Sequence, residues 1–291
     1  MGETTVLIPT RVLVLGMAHD DGTIAADELY PIAEACGQTP EQVRSCLRRL
    51  VAQGLFTRTG AGRRATYVPT EAGRGVIDNV LQRTRLAFAQ DAAGRGWDRR
   101  WHLVGYAVPE TRRHGRDALR DRLVAFGGAP LHGGLYVSPH PWEDDVRREA
   151  KRLNLADHLT LAQTDDLEVA GVRDPRELVA MLWPLEQAAE RYTHFNENYG
   201  QVLDLLEGLK RDHGRIPDTL FLPYALRMAV DYAECSAIDP YLPPELLPRP
   251  WAGRAAREIL GRSRRLAVVL REGGPRPALF GTFDELLETL P

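Results

Sequence analysis

Hydrophobic residues recur at helical spacing in two stretches near the start of the chain. Residues 10–18, TRVLVLGMA, predict a short apolar helix with Thr10 as its N-cap. In residues 24–37, IAADELYPIAEACG, the apolar side chains share one helical face, and Gly37 suits the left-handed turn that ends a helix. These apolar residues are Ile24, Leu29, Ile32, Ala33 and Cys36. We expect Pro31 to kink this helix or to lie in its first turn.

A third helix, residues 39–53, is specified by its own first residues. Thr39 is a good N-cap, Pro40 suits the first helical position, and Gln42 stands where a capping box has Glu or Gln. The apolar face consists of Val43, Cys46, Leu47 and Leu50. The opposite face carries Gln42, Arg44, Ser45, Arg48 and Arg49. The water-facing side of this helix is therefore cationic and rich in hydrogen-bonding groups.

Two short strands, 55–59 and 65–68, follow Gly54 and are joined by a Gly-rich turn that carries Arg63 and Arg64. Helix, turn, helix and hairpin is the order of a winged helix-turn-helix. Such an assembly binds duplex DNA because a helix fits the major groove while the hairpin reaches phosphate or the minor groove.

The charge distribution supports this interpretation although the total charge does not. The chain has a formal net charge of -3 and a pI near 6.3, which is not typical of a dedicated nucleic-acid binder. Residues 39–75, however, hold seven arginines against two glutamates. Attraction to phosphate acts within about a Debye length, roughly 8 Å at physiological salt. The local excess of arginine therefore matters more for DNA binding than the net charge of the whole chain. The alternative is a solvated basic helix in a winged-helix module that binds protein.

We therefore predict a DNA-binding site with two kinds of contact. Base edges would be read through Gln42, Arg44, Ser45 and Arg48, next to the cap residue Thr39. Phosphate would be held mainly by Arg49, Arg63 and Arg64. The expected partner is double-stranded operator DNA.

Alternating strands and helices characterise the middle of the chain. A helix at 71–90, with apolar positions Val76, Ile77, Val80, Leu81 and Phe88, precedes the linker DAAGRG. A strand at 101–108 leads to a helix at 110–128, on which Leu119, Leu123 and Phe126 should face inward. The segments GGLYVSP, WEDDVRREAKRLN and HLTLAQ then predict a strand, a helix and a strand. This β-α-β-α-β order indicates a ferredoxin-like α/β sandwich.

The last third, from Pro175, is predicted to be largely helical. Its aromatic residues Trp183, Tyr192, Phe195 and Tyr199 recur near helical spacing, as core residues do, or they line a ligand pocket with His194, Asn196 and Asn198. Residues 238–253, IDPYLPPELLPRPWAG, contain five prolines and predict a rigid connection without regular structure. The following segment, WAGRAAREILGRSRRLA, is amphipathic, and its arginines bind a partner subunit or face water.

The fold class expected is thus a multidomain α+β chain. It comprises a winged-helix domain with its following helix (1–90), a ferredoxin-like middle domain (91–172) and a mostly helical C-terminal domain (173–291) for effector binding or dimerisation. No apolar run approaches the roughly 20 residues that span a bilayer, so we expect a cytoplasmic protein without a membrane partner. Cys36, Cys46 and Cys235 lack C-x-x-C spacing and are expected to be small core residues.

Sequence motifs give no catalytic residue and no metal ligand. Neither H-E-x-x-H nor G-x-S-x-G occurs, and the acidic pairs at 144–145 and 165–166 are adjacent, so they point in different directions on a helix. We expect no cofactor. The alternative to a regulator is a regulator-like scaffold recruited as an enzyme, with a small-molecule pocket in its C-terminal domain.

Four blocks of sequence resemble the PaaX-like transcriptional regulators, named for the repressor of phenylacetate-degradation operons. They are RLVAQGLFTRTGAGRRATYVPTEAG, WDRRWHLVGYAVPETRR, FGGAPLHGGLYVSPHPWED and DPYLPPELLPRPWAG. The resemblance spans nearly the whole chain in the family's order. It implies that the protein is a homodimeric regulator that binds operator DNA. Its expected role is to repress an operon related to aromatic acids or acyl-CoA.

A small-molecule effector is the further implication of the resemblance. In the phenylacetate members it is a CoA thioester, phenylacetyl-CoA, which releases the protein from DNA; an acyl-CoA or an aromatic molecule is therefore the effector expected here. We expect it between the middle and C-terminal domains, at Trp97, Arg99, Arg100, Trp101, Trp183, Tyr192, His194 and Tyr199. The alternative for Trp97 to Trp101 is a strand-entry anchor with surface cations.

Overall fold

The computed structural model describes residues 9–94, 96–272 and 279–281, without the side chains of Arg63 and of residues 76–85. The apolar positions predicted at Val76, Ile77, Val80 and Leu81 and the predicted phosphate contact of Arg63 therefore lie outside the described side chains. Contacts group the chain into two compact units. Unit 1 comprises the described residues within Met1–Phe88, Glu190–Ala237 and Ala252–Pro291, and unit 2 those within Ala89–Ala189 and Ile238–Trp251.

Unit 1 begins with three helices and three short strands. They are α1 (Thr10–Gly16), β1 (Ile24–Ala25), α2 (Ala26–Ala35), α3 (Pro40–Ala52), β2 (Phe56–Thr59) and β3 (Thr66–Pro69). The strands form an antiparallel sheet in the order β1-β3-β2. The predicted helical start at Ile24 is wrong, because Ile24 pairs with Tyr67 in this sheet and α2 starts two residues later. Pro31 lies inside α2 rather than in its first turn.

Unit 2 contains a four-stranded antiparallel sheet and two helices packed against it. After α4 (Glu71–Ala93) come β4 (Trp101–Tyr106), α5 (Arg113–Ala125), β5 (Ala129–Pro130), β6 (Leu135–Ser138), α6 (Glu143–Arg152), β7 (Leu159–Thr164) and α7 (Pro175–Leu182). The strand order is β5-β6-β4-β7. The two-residue strand β5 was not predicted. Leu119 and Leu123 are fully buried and Phe126 is partly buried against the same core, as the pattern of α5 predicted.

The proline-rich segment 238–251 belongs to unit 2 and contains neither helix nor strand. Tyr241, Leu242 and Leu246 are buried. The Glu245 carboxylate accepts hydrogen bonds from the backbone N–H groups of Gly96 and Trp97, which fixes the entry to β4. The segment is thus held in place by packing and hydrogen bonds, in agreement with the predicted rigid connection.

The remaining helices are α8 (Leu185–Arg211), α9 (Asp218–Ser236) and α10 (Ala252–Leu270). Within unit 1, one hydrophobic core contains residues from both the N-terminal and the C-terminal parts of the chain. It contains Leu13 of α1, Leu29 of α2 and Leu47 of α3 together with Leu222 and Leu226 of α9. The helices that precede the basic hairpin are therefore packed directly on C-terminal helices that follow them by more than 100 residues.

Candidate nucleic-acid interface

The start of α3 is fixed by the predicted capping box. Thr39 Oγ1 accepts a hydrogen bond from the backbone N–H of Gln42 at 3.2 Å, and Gln42 Oε1 accepts one from the backbone N–H of Thr39 at 2.7 Å. Pro40 occupies the first helical position. The two reciprocal bonds satisfy donors that would otherwise be free at the helix N-terminus. The first turn of α3 is thereby held rigidly at the surface.

Burial along α3 separates an apolar face from a cationic one. Val43, Cys46, Leu47 and Leu50 are buried in the core of unit 1, as predicted. Most of the residues of α3 predicted to contact DNA are exposed, namely Gln42, Arg44, Arg48 and Arg49, as is the cap residue Thr39. Ser45 is half-buried. The amphipathic pattern thus orients the arginine face of α3 toward solvent.

Glu41, in the first turn of α3, pairs with two arginines of the same helix. Its Oε2 accepts a hydrogen bond of 2.7 Å from Arg44 Nη2, and its Oε1 lies 3.6 Å from Arg48 Nη2. The hydrogen bond and charge of Arg44 lower the pKa of Glu41, and the same contact raises the pKa of Arg44. This carboxylate therefore stays ionised at neutral pH and offsets part of the positive charge of α3.

The hairpin beside α3 also presents arginines. Its tip contains a short 3-10 turn, Gly62–Arg64, and Gly60 has a φ of 73° that a side chain rarely adopts. A Cβ on Gly60 would also come 2.8 Å from the carbonyl oxygen of Arg64, so glycine is required for this turn. The Arg64 side chain is exposed, as is Arg58 on β2.

A cleft of about 490 Å³ lies between α2, the start of α3 and the hairpin. It is lined by Tyr30, Ala33, Glu34, Gln38, Pro40, Arg44, Arg48, Arg58, Gly62 and Tyr67. Arg44 and Arg48 come from α3 and Arg58 from β2, so two different elements contribute cations to one cleft. Arg58 belongs to the basic region 39–75 but is not among the residues predicted to contact DNA. Its position on a strand of the arginine-rich hairpin was the available signal.

Three of the residues predicted to bind an effector form an aromatic group in unit 2. The rings of Trp97 and Trp101 are 5.5 Å apart and those of Trp101 and Trp183 are 6.5 Å apart. Trp101 and Trp183 are buried, and Trp183 Nε1 donates a hydrogen bond to the carbonyl of Gly127. Arg99 and Arg100 are exposed. This arrangement has the geometry of a strand-entry anchor, and the effector contact of these residues stays a prediction.

The other three predicted effector residues belong to α8 in unit 1. Tyr192 and Tyr199 are buried, whereas His194 is exposed and lies 3.1 Å from Asn198 Nδ2. Tyr199 donates a hydrogen bond of 2.6 Å to Asp231, and its ring contacts that of Phe195. An effector role for these three residues also stays a prediction.

Neither the three cysteines nor the other described side chains of metal-ligating types form a candidate metal site. Cys36, Cys46 and Cys235 are buried and form no disulfide with one another, and burial raises the pKa of the Cys36 thiol to about 11. Among the described residues, no three His, Cys, Asp or Glu side chains are grouped as metal ligands would be. Within that same part of the chain, no helix is both long enough and apolar enough to cross a membrane.

Comparison with known protein families matches three consecutive segments of the chain. Residues 10–73 match the family described as PaaX-like protein, residues 94–179 the PaaX protein central Cas2-like domain, and residues 183–270 the PaaX-like protein C-terminal domain. The chain is thus a mixed helix and strand protein with a Cas2-like central domain and a helical C-terminal region, as the coarse fold class predicted.

Individual relatives agree with this assignment. The transcriptional repressor PaaX of Escherichia coli strain K12 is 26% identical over 246 residues, which are 84% of this chain and 74% of that protein. The solved structure of an uncharacterized protein from Mycobacterium tuberculosis shares the fold, with a TM-score of 0.56 and 20% identity over 90% of this chain and 97% of the other. With its three regions matched in the family's order, the chain belongs to the PaaX-like protein family.

Proposed function

We propose that this protein is a transcriptional regulator that binds double-stranded DNA through α3 and the β2–β3 hairpin, acting as a winged helix-turn-helix. The observation that carries the proposal is the exposed arginine face of the capped helix α3, next to a hairpin that exposes Arg58 and Arg64. A helix of this kind fits the major groove, and guanidinium groups bind both phosphate and guanine. The name of the Escherichia coli relative, a transcriptional repressor, supports the same function.

Different residues would carry sequence preference and overall affinity. Gln42, Arg44, Ser45 and Arg48 lie on the part of α3 that would face base edges. Arg49, Arg63 and Arg64 would hold phosphate, which contributes affinity without sequence information. The two groups of variants should therefore differ in how their binding depends on salt and on DNA sequence.

Fluorescence anisotropy with the operator duplex and a scrambled duplex tests these roles at several salt concentrations. The operator is first located by footprinting on DNA upstream of the protein's own gene and its neighbours. Arg64→Ala or Arg63→Ala should weaken binding to both duplexes alike and lower the logarithmic salt slope by about one. Arg44→Ala or Ser45→Ala should reduce the preference for the operator, by about 1–3 kcal/mol for a good base contact. If neither group changes DNA affinity, α3 is not the reading helix.

We interpret the sheet of unit 2 as ferredoxin-like. Along the chain its elements follow one another as β4-α5-β5-β6-α6-β7. The strands lie in the sheet in the order β5-β6-β4-β7, and α5 and α6 pack on one face of it. This β-α-β-β-α-β sequence is the ferredoxin-like arrangement. We assign the domain no catalytic step.

We further propose that the protein is a homodimeric repressor whose release from DNA is controlled by an acyl-CoA or an aromatic small molecule. An effector acts only if it binds the DNA-incompetent state more tightly than the competent one. A thermal-shift screen of aromatic acids and their CoA thioesters would identify it, since a ligand of the native state raises the midpoint of unfolding. The compound that does so should weaken operator binding several-fold, and an unchanged binding curve would exclude that compound.

A further inference from the structure

The carboxylate of Glu41 lies between Arg44 and Arg48, two arginines that line the cleft defined above. It contacts Arg44 at 2.7 Å and Arg48 at 3.6 Å, using a different oxygen for each. The side chains of all three residues are more than half exposed, at 68%, 56% and 74% for Glu41, Arg44 and Arg48. This bridged cluster is thus accessible from solvent and is not locked by packing.

We propose that Glu41 is an internal stand-in for a DNA phosphate. When any duplex first docks on the cleft, the phosphodiester backbone displaces this carboxylate from Arg44 and Arg48, and only on the operator do the two released arginines turn to base edges. The inference rests on the proposed function and deepens it, because it identifies what the cleft takes and which residue limits its affinity. Glu41 would therefore lower the affinity of the protein for DNA, and it would do so from within α3, the helix proposed to contact DNA.

The chemistry of the two anions supports the exchange. A carboxylate and a phosphate diester each present oxygen acceptors that match the donor geometry of a guanidinium. Exposed ion pairs are weak because water screens them and both side chains must be ordered. An incoming phosphate can therefore replace the carboxylate, but a carboxylate left beside it would repel it.

The cleft offers more positive charge than Glu41 can neutralise. Arg58 lines it from β2, on a different element from Arg44 and Arg48. Among the described side chains, Glu41 forms ion pairs with the two arginines of α3 and not with Arg58. A strand of the duplex seated here would thus meet arginine from both α3 and the hairpin, which is the charge complementarity expected of a phosphate backbone site.

Glu34 provides a matched control because it lines the same cleft but enters none of the ion pairs between described side chains. Glu41→Gln and Glu34→Gln each remove one negative charge and keep the side-chain shape. Both variants would be compared with the wild type on a duplex of unrelated sequence and on the operator, by anisotropy at several salt concentrations.

We expect Glu41→Gln to tighten binding to both duplexes by about three- to tenfold and to steepen the logarithmic salt slope by about one. Glu34→Gln should tighten binding no more than about twofold, since removing its charge releases no arginine of the cleft from an ion pair between described side chains. An equal gain in the two variants would overturn the proposal in favour of a general charge effect. Weaker operator binding by Glu41→Gln would overturn it in favour of a direct base contact, for example with a cytosine amino group.

A double-mutant cycle isolates the exchange. In an Arg44→Ala, Arg48→Ala background the gain from Glu41→Gln should fall to the level of the Glu34→Gln control, because the arginines to be released are gone. A gain that persists in this background contradicts the proposal.

The same measurements separate failure of the proposed function from failure of the inference about Glu41. If the wild type binds no duplex at all, the proposed function itself fails. If the wild type binds DNA and Arg64→Ala weakens that binding while Glu41→Gln has no effect, only the inference about Glu41 fails.

Discussion

The hydroxyl of Tyr199 donates a hydrogen bond of 2.6 Å to Oδ2 of Asp231, joining α8 to α9 in the helical part of unit 1. Arg227 Nε lies 2.9 Å from both oxygens of the same carboxylate. Burial and this hydrogen bond raise the pKa of Tyr199, so its hydroxyl remains a donor throughout the physiological range. The sequence placed Tyr199 among core or ligand-lining aromatics, but it did not identify Asp231 as its partner.

Tyr199→Phe should destabilise the protein by roughly 1–3 kcal/mol, because the partly buried carboxylate of Asp231 loses a hydrogen-bond donor. Urea denaturation followed by circular dichroism measures the change. Tyr224→Phe is the control, since the Tyr224 ring contacts Tyr199 without being its hydrogen-bond partner. The control should cost less than about 1 kcal/mol, and equal losses in the two variants would show that the hydrogen bond adds nothing specific.

Gly16→Ala should destabilise unit 1 by about 1–3 kcal/mol, because a Cβ at this position would lie 2.5 Å from Cε1 of Phe280. The backbone N–H of Phe280 also donates to the carbonyl of Gly16 at 2.6 Å, which limits how far the ring can retreat. In a Phe280→Ala background the sign should reverse, since alanine favours a helix over glycine by up to about 1 kcal/mol. Thermal unfolding of the four proteins in this cycle measures the coupling, and additive effects would argue against the contact.

Thr39→Ala should cost about 1 kcal/mol of stability through the loss of the N-cap of α3. It should also weaken operator binding, because the first turn of α3 would fray where Gln42 and Arg44 are positioned. Thr39→Ser keeps the hydroxyl and serves as the control in both measurements. A Thr39→Ala protein with unchanged stability and DNA affinity would mean that the capping box is not needed to form the reading helix.

Glu149→Gln should destabilise the protein by about 1 kcal/mol at pH 7 and by less as the pH falls. Hydrogen bonds from Arg152 lower the pKa of Glu149 below its ordinary value of 4.5. A carboxyl with a lowered folded-state pKa contributes stability above pH 4.5, and that contribution is lost as the pH falls through the folded-state pKa. Urea titrations at pH 7 and pH 3.5 should show the difference between wild type and variant shrinking.

The exposed pair of Asp144 with Arg147 supplies the comparison for this experiment. Asp144 is 86% exposed at its side chain, so Asp144→Asn should change stability by less than about 0.5 kcal/mol at either pH. A pH-independent loss in Glu149→Gln would mean that packing rather than charge explains its effect.

Local chemistry explains which features could be predicted from the sequence. The capping box of Thr39 and Gln42 needs only four consecutive residues, and the prediction of α3 from it was confirmed. The pairing of Ile24 with Tyr67 joins residues 43 apart, and a two-residue strand has too little alternation to be distinguished from the start of a helix. The error at the start of α2 therefore came from a tertiary contact that overrides local periodicity.

Some residues of the candidate site could be predicted from the sequence and others could not. Arg44, Arg48 and Arg49 could be placed on the exposed face because the apolar residues of α3 define its buried face. Arg58 could not be assigned to the cleft, since its place there depends on how β2 lies beside α2 and α3. The burial of Tyr192 and Tyr199, by contrast, agrees with the core alternative that their helical spacing indicated.

Leu29 of α2 and Leu226 of α9 lie in one hydrophobic core, so the N-terminal helices do not pack independently of the C-terminal helices. A chain truncated after the hairpin would leave the apolar faces of α2 and α3 partly exposed to water, and we expect such a fragment not to fold stably. We therefore expect a nascent chain on the ribosome to complete the core of unit 1 only after the C-terminal helices have emerged.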